Sequence, residues 1–143
     1  MAAICPDDFE NVAVCFSPGV DVNASFEFDL HKRKGINSHL ADYSVDGPPM
    51  GFKSKSFTKK YLGTVDDSIF TTLDTWVRGQ DEFLSTDDLL LQMDIEGGEY
   101  LSLLGASEEV LKRFRIIVVE ILHIQSWGNR FFFESSKHFL INY

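Results

Sequence analysis

Cysteine is scarce: Cys5 and Cys15 are the only two in 143 residues, and neither sits in a CxxC-type spacing. That excludes a disulfide framework and a thiolate metal site, and fits buried or idle thiols in a reducing compartment. Positive charge is also short, with 13 Lys and Arg against 22 Asp and Glu for a net charge of -9. Such an excess argues against general affinity for nucleic acid or an anionic membrane. The one basic strip, Lys53, Lys55, Lys59 and Lys60, reads as an exposed loop. No window approaches the ~18 continuous apolar residues of a membrane span. The opening "MAAICPDDFE" lacks the basic and apolar regions of a signal peptide. Repeats and low-complexity tracts are missing too. The expectation is a cytoplasmic protein with neither nucleic acid nor membrane as partner.

What is present suits a globular core: 44% hydrophobic residues, including 13 Phe. The length predicts one domain over 1–143. "NVAVCFSPG" is a short apolar run stopped by Pro18-Gly19, a buried strand and a turn. "NASFEFDLHKRKG" predicts a helix capped by Asn23 or Ser25 and ended by Gly35, with Phe26, Leu30 and Arg33 sharing a face. "INSHLADYSVDGPP" predicts a second strand, and "FTKKYL" a short one. In "SIFTTLDTWVRG", Thr72 caps a helix that stops at Gly79, while "DEFLSTDD" is turn-like. "LLLQMDI" is a continuous apolar strand of the kind buried on both faces of a parallel sheet. "SEEVLKRF" is a helix capped by Ser107, "RIIVVEIL" a further strand, and "NRFFFESSKHFL" a closing helix with an aromatic face. His31 and His138 fall on helix surfaces in this scheme.

This alternation predicts an α/β domain with a mainly parallel sheet and helices on both sides. Ligands in such sheets sit beyond the carboxyl ends of the strands. The turns that matter are then Ser17 to Asp21, Asp42 to Asp46, Asp94 to Gly98 and Glu120 to His123. Gly19 would let the backbone approach a ligand closely, or would simply make a strand–helix turn. Asp42 falls about 20 residues beyond it, where Rossmann-like sheets hold ribose hydroxyls, though an Asp before a loop also forms turns. Asp46 and His39 compete for that role. If the strand runs through Asp94 and Glu96, their side chains share one face, and such close carboxylates raise a pKa or recruit a cation or amine. Glu99 reads as a helix-start acid. His123, near Trp127, could serve as a general base on a hydroxyl, or be a surface histidine. No metal set is evident.

The stretch "LLLQMDIEGGEYLSLLGASEEVLKRFRIIVVEIL" resembles the signature of the FkbM-type methyltransferases: a strand ending in Asp-x-Glu-Gly-(Ala/Gly)-Glu, a helix, then Phe-Arg and an apolar strand ending in Glu. "FSPGVDVNASFEFDLHKRKGINSHLADYSVDGPP" is similar to the same family's first strand, helix and second strand. The resemblance implies a Rossmann-like class I methyltransferase sheet of three α/β/α layers. It also implies S-adenosylmethionine as cofactor and O-methylation of a sugar or small metabolite.

On that resemblance Ser17, Pro18, Gly19 and Val20 line the methionine end of the cofactor, Asp42 holds the ribose, and Val65 to Asp67 approach the adenine. Asp94 and Glu96 lie beside the cofactor's amino group or the acceptor, and Asp94, Glu96 and His123 assist the proton. Two features depart from the pattern. The glycine loop is thin, and the chain stops one helix after the fifth strand, two strands short of the usual class I sheet. A truncated sheet predicts an exposed edge and a homo-oligomer. The rival function is a non-catalytic S-adenosylmethionine-binding or assembly domain. A nicotinamide oxidoreductase is a weaker rival, since GxGxxG is missing.

Overall fold

The computed structural model describes residues 6–120 and 138–142. A 3-10 turn over Pro6–Phe9 leads into β1 (Val14–Pro18), α1 (Ser25–Lys34) and β2 (Asn37–Ala41). Three short strands follow, β3 (Ser56–Thr58), β4 (Tyr61–Gly63) and β5 (Phe70–Thr72), and then α2 (Leu73–Arg78) and α3 (Glu82–Ser85). β6 (Leu89–Met93), α4 (Glu99–Leu104), α5 (Glu108–Leu111), β7 (Phe114–Glu120) and β8 (His138–Asn142) complete the described chain.

The main sheet runs β3-β2-β1-β6-β7-β8, and every pairing in it is parallel. β4 and β5 form a separate two-stranded parallel ribbon. Alternation along the strands divides the core between the two faces of the sheet. Val14, Phe16, Leu89, Leu91, Met93, Phe114 and Ile117 pack with Leu73, Trp76, Val77, Phe83 and Val110 from the helices α2, α3 and α5. Cys15, Leu90, Ile116 and Val118 point the other way, onto Leu30 and Ile36 beside α1. Phe16 sits at the centre of the first face, edge-on to Trp76 at 5.2 Å and to Phe114 at 5.7 Å. This is the expected three-layer α/β/α arrangement of a Rossmann-like fold. No helix among the described residues is long and apolar enough to cross a membrane.

Local signals account for most boundaries. Gly35 ends α1 in a left-handed conformation, with its N–H bonded to the His31 carbonyl. Thr72 caps α2 by accepting from the Thr75 N–H, and Ser107 caps α5 by accepting from the Val110 N–H. Asn23 instead accepts from the Ser25 N–H, shaping the turn before α1.

Four details differ from the sequence expectation. α1 buries Glu27 with Leu30, while Arg33 stays exposed. "DEFLSTDD" contains the short helix α3. His138 opens a strand rather than lying on a helix. The closing segment ends in that strand, β8, which pairs parallel to β7 from Ile116↔His138 to Glu120↔Asn142. The sheet therefore has six strands, and β7 is not its edge. "HFLIN" pairs with β7 along its whole length, while the rest of the predicted closing helix, residues 129–137, lies outside the described residues.

A buried polar link ties β2, β3 and α3 together. His39 Nδ1 lies 2.6 Å from Ser56 Oγ, and Nε2 lies 3.0 Å from Glu82 Oε2. Glu82 also pairs with Lys55. A neutral imidazole with its proton on Nε2 satisfies all of these bonds, and burial pushes the His39 pKa below its ordinary 6.5. Burial alone would raise Glu82, but Lys55, the Glu82 backbone N–H and His39 outweigh it and hold the carboxyl below 4.5. On acidification the unfolded chain therefore takes up a proton at each group before the folded one does. Stability should fall first as pH drops below 6.5 and again below 4.5. Urea unfolding across pH 7.5 to 4 should show both losses, and His39→Gln should remove the first. A flat wild-type profile between pH 7 and 5.5 would contradict this account.

Candidate functional site

From β1 the chain passes to β2 and β3 on one side, then to β6, β7 and β8 on the other. The sheet's switch point is thus the carboxyl end of β1 against β6, the place where open α/β sheets leave a crevice for a ligand. Gly19 stands there with φ +81, and its N–H donates to the Ala41 carbonyl at 2.9 Å. A Cβ on Gly19 would overlap the Asp94 carbonyl oxygen and come within 2.9 Å of Ile95 Cγ2. The glycine's open side is filled by the β6 loop, and the close approach foreseen for a ligand is made by the protein itself.

A buried carboxylate holds each of the two loops that meet here. Asp42, 3% exposed, accepts the Asp21 N–H on Oδ2 at 2.8 Å, and the Ser44 N–H (2.8 Å) and hydroxyl (2.6 Å) on Oδ1. Glu99, 2% exposed, accepts the Ile95 N–H on one oxygen and the Gly97 N–H on the other, both at 2.8 Å. Each carboxylate braces an acidic residue in a left-handed conformation, Asp21 at φ +46 and Glu96 at φ +55. Such backbone costs about 1–2 kcal/mol for a residue with a Cβ, and charge-assisted bonds offset it. Glu99 is therefore a loop clamp as well as a helix-start acid.

β6 ends at Met93, so Asp94 and Glu96 lie on the loop and not on one face of a strand. They nevertheless belong to one acidic group, with Glu120 at the end of β7. Burial foremost, then the charges of Glu120, Glu99 and Glu96, push the half-buried Asp94 carboxyl above its ordinary 3.8, and a hydrogen bond with Glu120 adds to the effect. Among the described residues no group of three or more His, Cys, Asp or Glu is arranged to hold a metal ion.

Ser17 is fully buried, and its hydroxyl lies against Glu27 and 2.8 Å from Gln92 Oε1. One hydroxyl has one proton to give. The chain closes when a protonated Glu27 donates to Ser17 and Ser17 donates to Gln92. Burial foremost raises the Glu27 pKa, as that arrangement requires. Pro18 and Val20 are buried as well, so of the four residues on this turn only Gly19 is partly open. Asp66 and Asp67 spend their carboxylates on the loop around Thr72 and on the Ile69 and Phe70 N–H groups, while Val65 is exposed. Asp46 pairs with Lys59. Lys60 donates to the Asp67 carbonyl, so three of the four strip lysines, Lys55 included, have local partners. Cys15 is a buried free thiol. Cys5, His123 and Trp127 lie outside the described residues.

Sequence reasoning missed the inward turn of Glu27, which the three-residue spacing to Leu30 signalled. It also missed the clamping by Asp42 and Glu99, which depends on left-handed residues that no local pattern announces. Two substitutions test the clamps by urea unfolding. Glu99→Ala should cost about 2–3 kcal/mol by orphaning two N–H groups, and Glu96→Gly should gain about 1 kcal/mol by relieving the left-handed backbone. Glu96→Gly without any gain would contradict the strain assigned to this loop.

The methyltransferase FkbM domain model matches residues 8–141. No significant match was found among curated proteins or among solved structures. The match runs from before β1 into β8, and the chain belongs to the FkbM methyltransferase family.

Proposed function

We propose that the chain is an S-adenosylmethionine-dependent methyltransferase acting on the oxygen of a sugar or small-metabolite hydroxyl. The observation that carries this reading is the acidic crevice at the switch point, where Asp94 is crowded by Glu96 and Glu120. S-adenosylmethionine bears a sulfonium and an ammonium, and carboxylates so placed favour a cation. The donor set fits the group. Asp94 would meet the cationic methionine end, next to the Gly19 backbone. Asp42 has about four acceptor positions and spends three on the two loops it joins, so one acceptor position on Oδ2 remains for a ribose hydroxyl. Tyr43, next in the chain, is 37% exposed, with Lys59 Nζ over its ring at 5.8 Å and the Tyr61 ring 5.4 Å away. Ser17, Pro18 and Val20 support the turn from below.

When bound, the cofactor supplies an activated methyl group. The protein's part is positioning and proton handling. Glu96, exposed on its braced loop, is the carboxylate open to an acceptor hydroxyl and would take its proton; His123 is the second candidate for that task. The contact between Gly19 and Asp94, which narrows the crevice, favours as a second reading a domain that binds cofactor without turnover.

Isothermal titration with S-adenosylmethionine and S-adenosylhomocysteine tests the proposal, with methyl transfer to a panel of sugars and hydroxyl metabolites as the second readout. Asp94→Asn should weaken S-adenosylmethionine binding about tenfold. Glu96→Gln should leave binding within about twofold and lower transfer about 100-fold. No binding at millimolar cofactor overturns the proposal, and binding without transfer to any acceptor favours the second reading.

A further inference from the structure

Beneath the contact between Gly19 and Asp94, a chain of three side chains crosses from α1 to β6. The parallel register Phe16↔Leu91 sets Ser17 beside Gln92, the one two residues before Gly19 and the other two before Asp94. Ser17 is fully buried, and Glu27 reaches it from α1 at 3% exposure. The Ser17 hydroxyl is hydrogen-bonded to Glu27 Oε1 and lies 2.8 Å from Gln92 Oε1. One hydroxyl proton cannot serve two acceptor oxygens, so the arrangement closes when Glu27 brings a second. Each bond then runs the same way, from Glu27 to Ser17 and from Ser17 to Gln92.

Loss of that proton reverses the chain. An ionised Glu27 takes the bond from Ser17, and Gln92 must turn its amide over to offer its NH2 to the Ser17 oxygen. The reversal also leaves a buried charge, and the surroundings do not offset it. Cys15 on β1 is the titratable neighbour, and burial foremost keeps its thiol protonated. Ser38, which meets Cys15 from β2, is neutral, and His31, one turn along α1, is exposed. Burial raises the Glu27 pKa above 4.5, and the bonds from Ser17 and from the Glu27 backbone pull it down without cancelling the rise.

We propose that Glu27 is a positioning residue, whose proton sets the direction of the Ser17–Gln92 chain and with it the seating of both loops of the crevice. Ionisation of Glu27 loosens the Gly19 turn and the Asp94 loop together and weakens ligand binding between them. That the ligand is S-adenosylmethionine rests on the methyltransferase reading; the proton chain does not.

The full chain is followed from pH 4 to 8 by carboxyl-carbon and side-chain amide NMR. The Glu27 carboxyl should titrate above 4.5, and the Gln92 amide signals should shift with the same midpoint. Ser17→Ala should leave the Gln92 signals flat. Glu27→Gln keeps a donor in place without a titration. As pH rises, the unfolded chain gives up the Glu27 proton before the folded one does, so wild-type stability falls above pH 4.5 and levels off past the folded pKa. In urea, the unfolding constant of the wild type relative to Glu27→Gln should rise at least about threefold over this range. The affinity for S-adenosylhomocysteine, measured by calorimetry relative to Glu27→Gln, should fall over the same range. A Glu27 midpoint at or below 4.5, Gln92 signals indifferent to that midpoint, or an affinity ratio flat with pH would each overturn the proposal. The wild-type titration decides it even where a variant does not fold. No binding of S-adenosylhomocysteine, with the shared midpoint intact, would overturn the cofactor reading and uphold the proton chain.

Discussion

The carboxyl edge of the sheet depends on one contact, the backbone of Gly19 against the carbonyl of Asp94. Nothing larger than hydrogen fits between them, so the β1 turn and the β6 loop can meet only with glycine at this position. Because they meet, the N–H groups of Asp21, Ile95 and Gly97 are left without strand partners, and two buried carboxylates, Asp42 and Glu99, take them up. The same bonds brace Asp21 and Glu96 in left-handed backbone.

The same geometry concentrates negative charge. Asp94 follows directly on the end of β6 and Glu120 ends β7, and parallel neighbours bring strand ends of the same polarity together. In an antiparallel sheet these ends would be far apart. The raised Asp94 pKa is the electrostatic consequence, and a cationic ligand is the natural relief. Fold, strain and charge thus point to the same crevice in a chain that belongs to the FkbM methyltransferase family.

Much of this was legible beforehand. "LLLQMDI" announced a buried parallel strand by its unbroken apolar run, and Thr72, Ser107 and Gly35 marked helix ends by side-chain chemistry alone. The Asp-Ile-Glu-Gly-Gly-Glu motif pointed to the family and falls at the end of β6, at the sheet's switch point. What stayed hidden needed tertiary partners to define it. β8 exists because β7 offers a free edge, a fact absent from "HFLIN" itself. The roles of Asp42 and Glu99 depend on which N–H groups the loops orphan, and Ser17 is committed to Glu27 and Gln92 by the fold and not by its neighbours in sequence.

The central claim is that the carboxylate cluster at the switch point is built to receive a cation. Its most direct test is the titration of Asp94 by carboxyl-carbon NMR, in the free protein and with saturating S-adenosylmethionine. The account predicts an Asp94 pKa above 3.8 in the free protein that falls when the cofactor binds. A free-protein value at or below 3.8, or one that does not move on saturation, would contradict it.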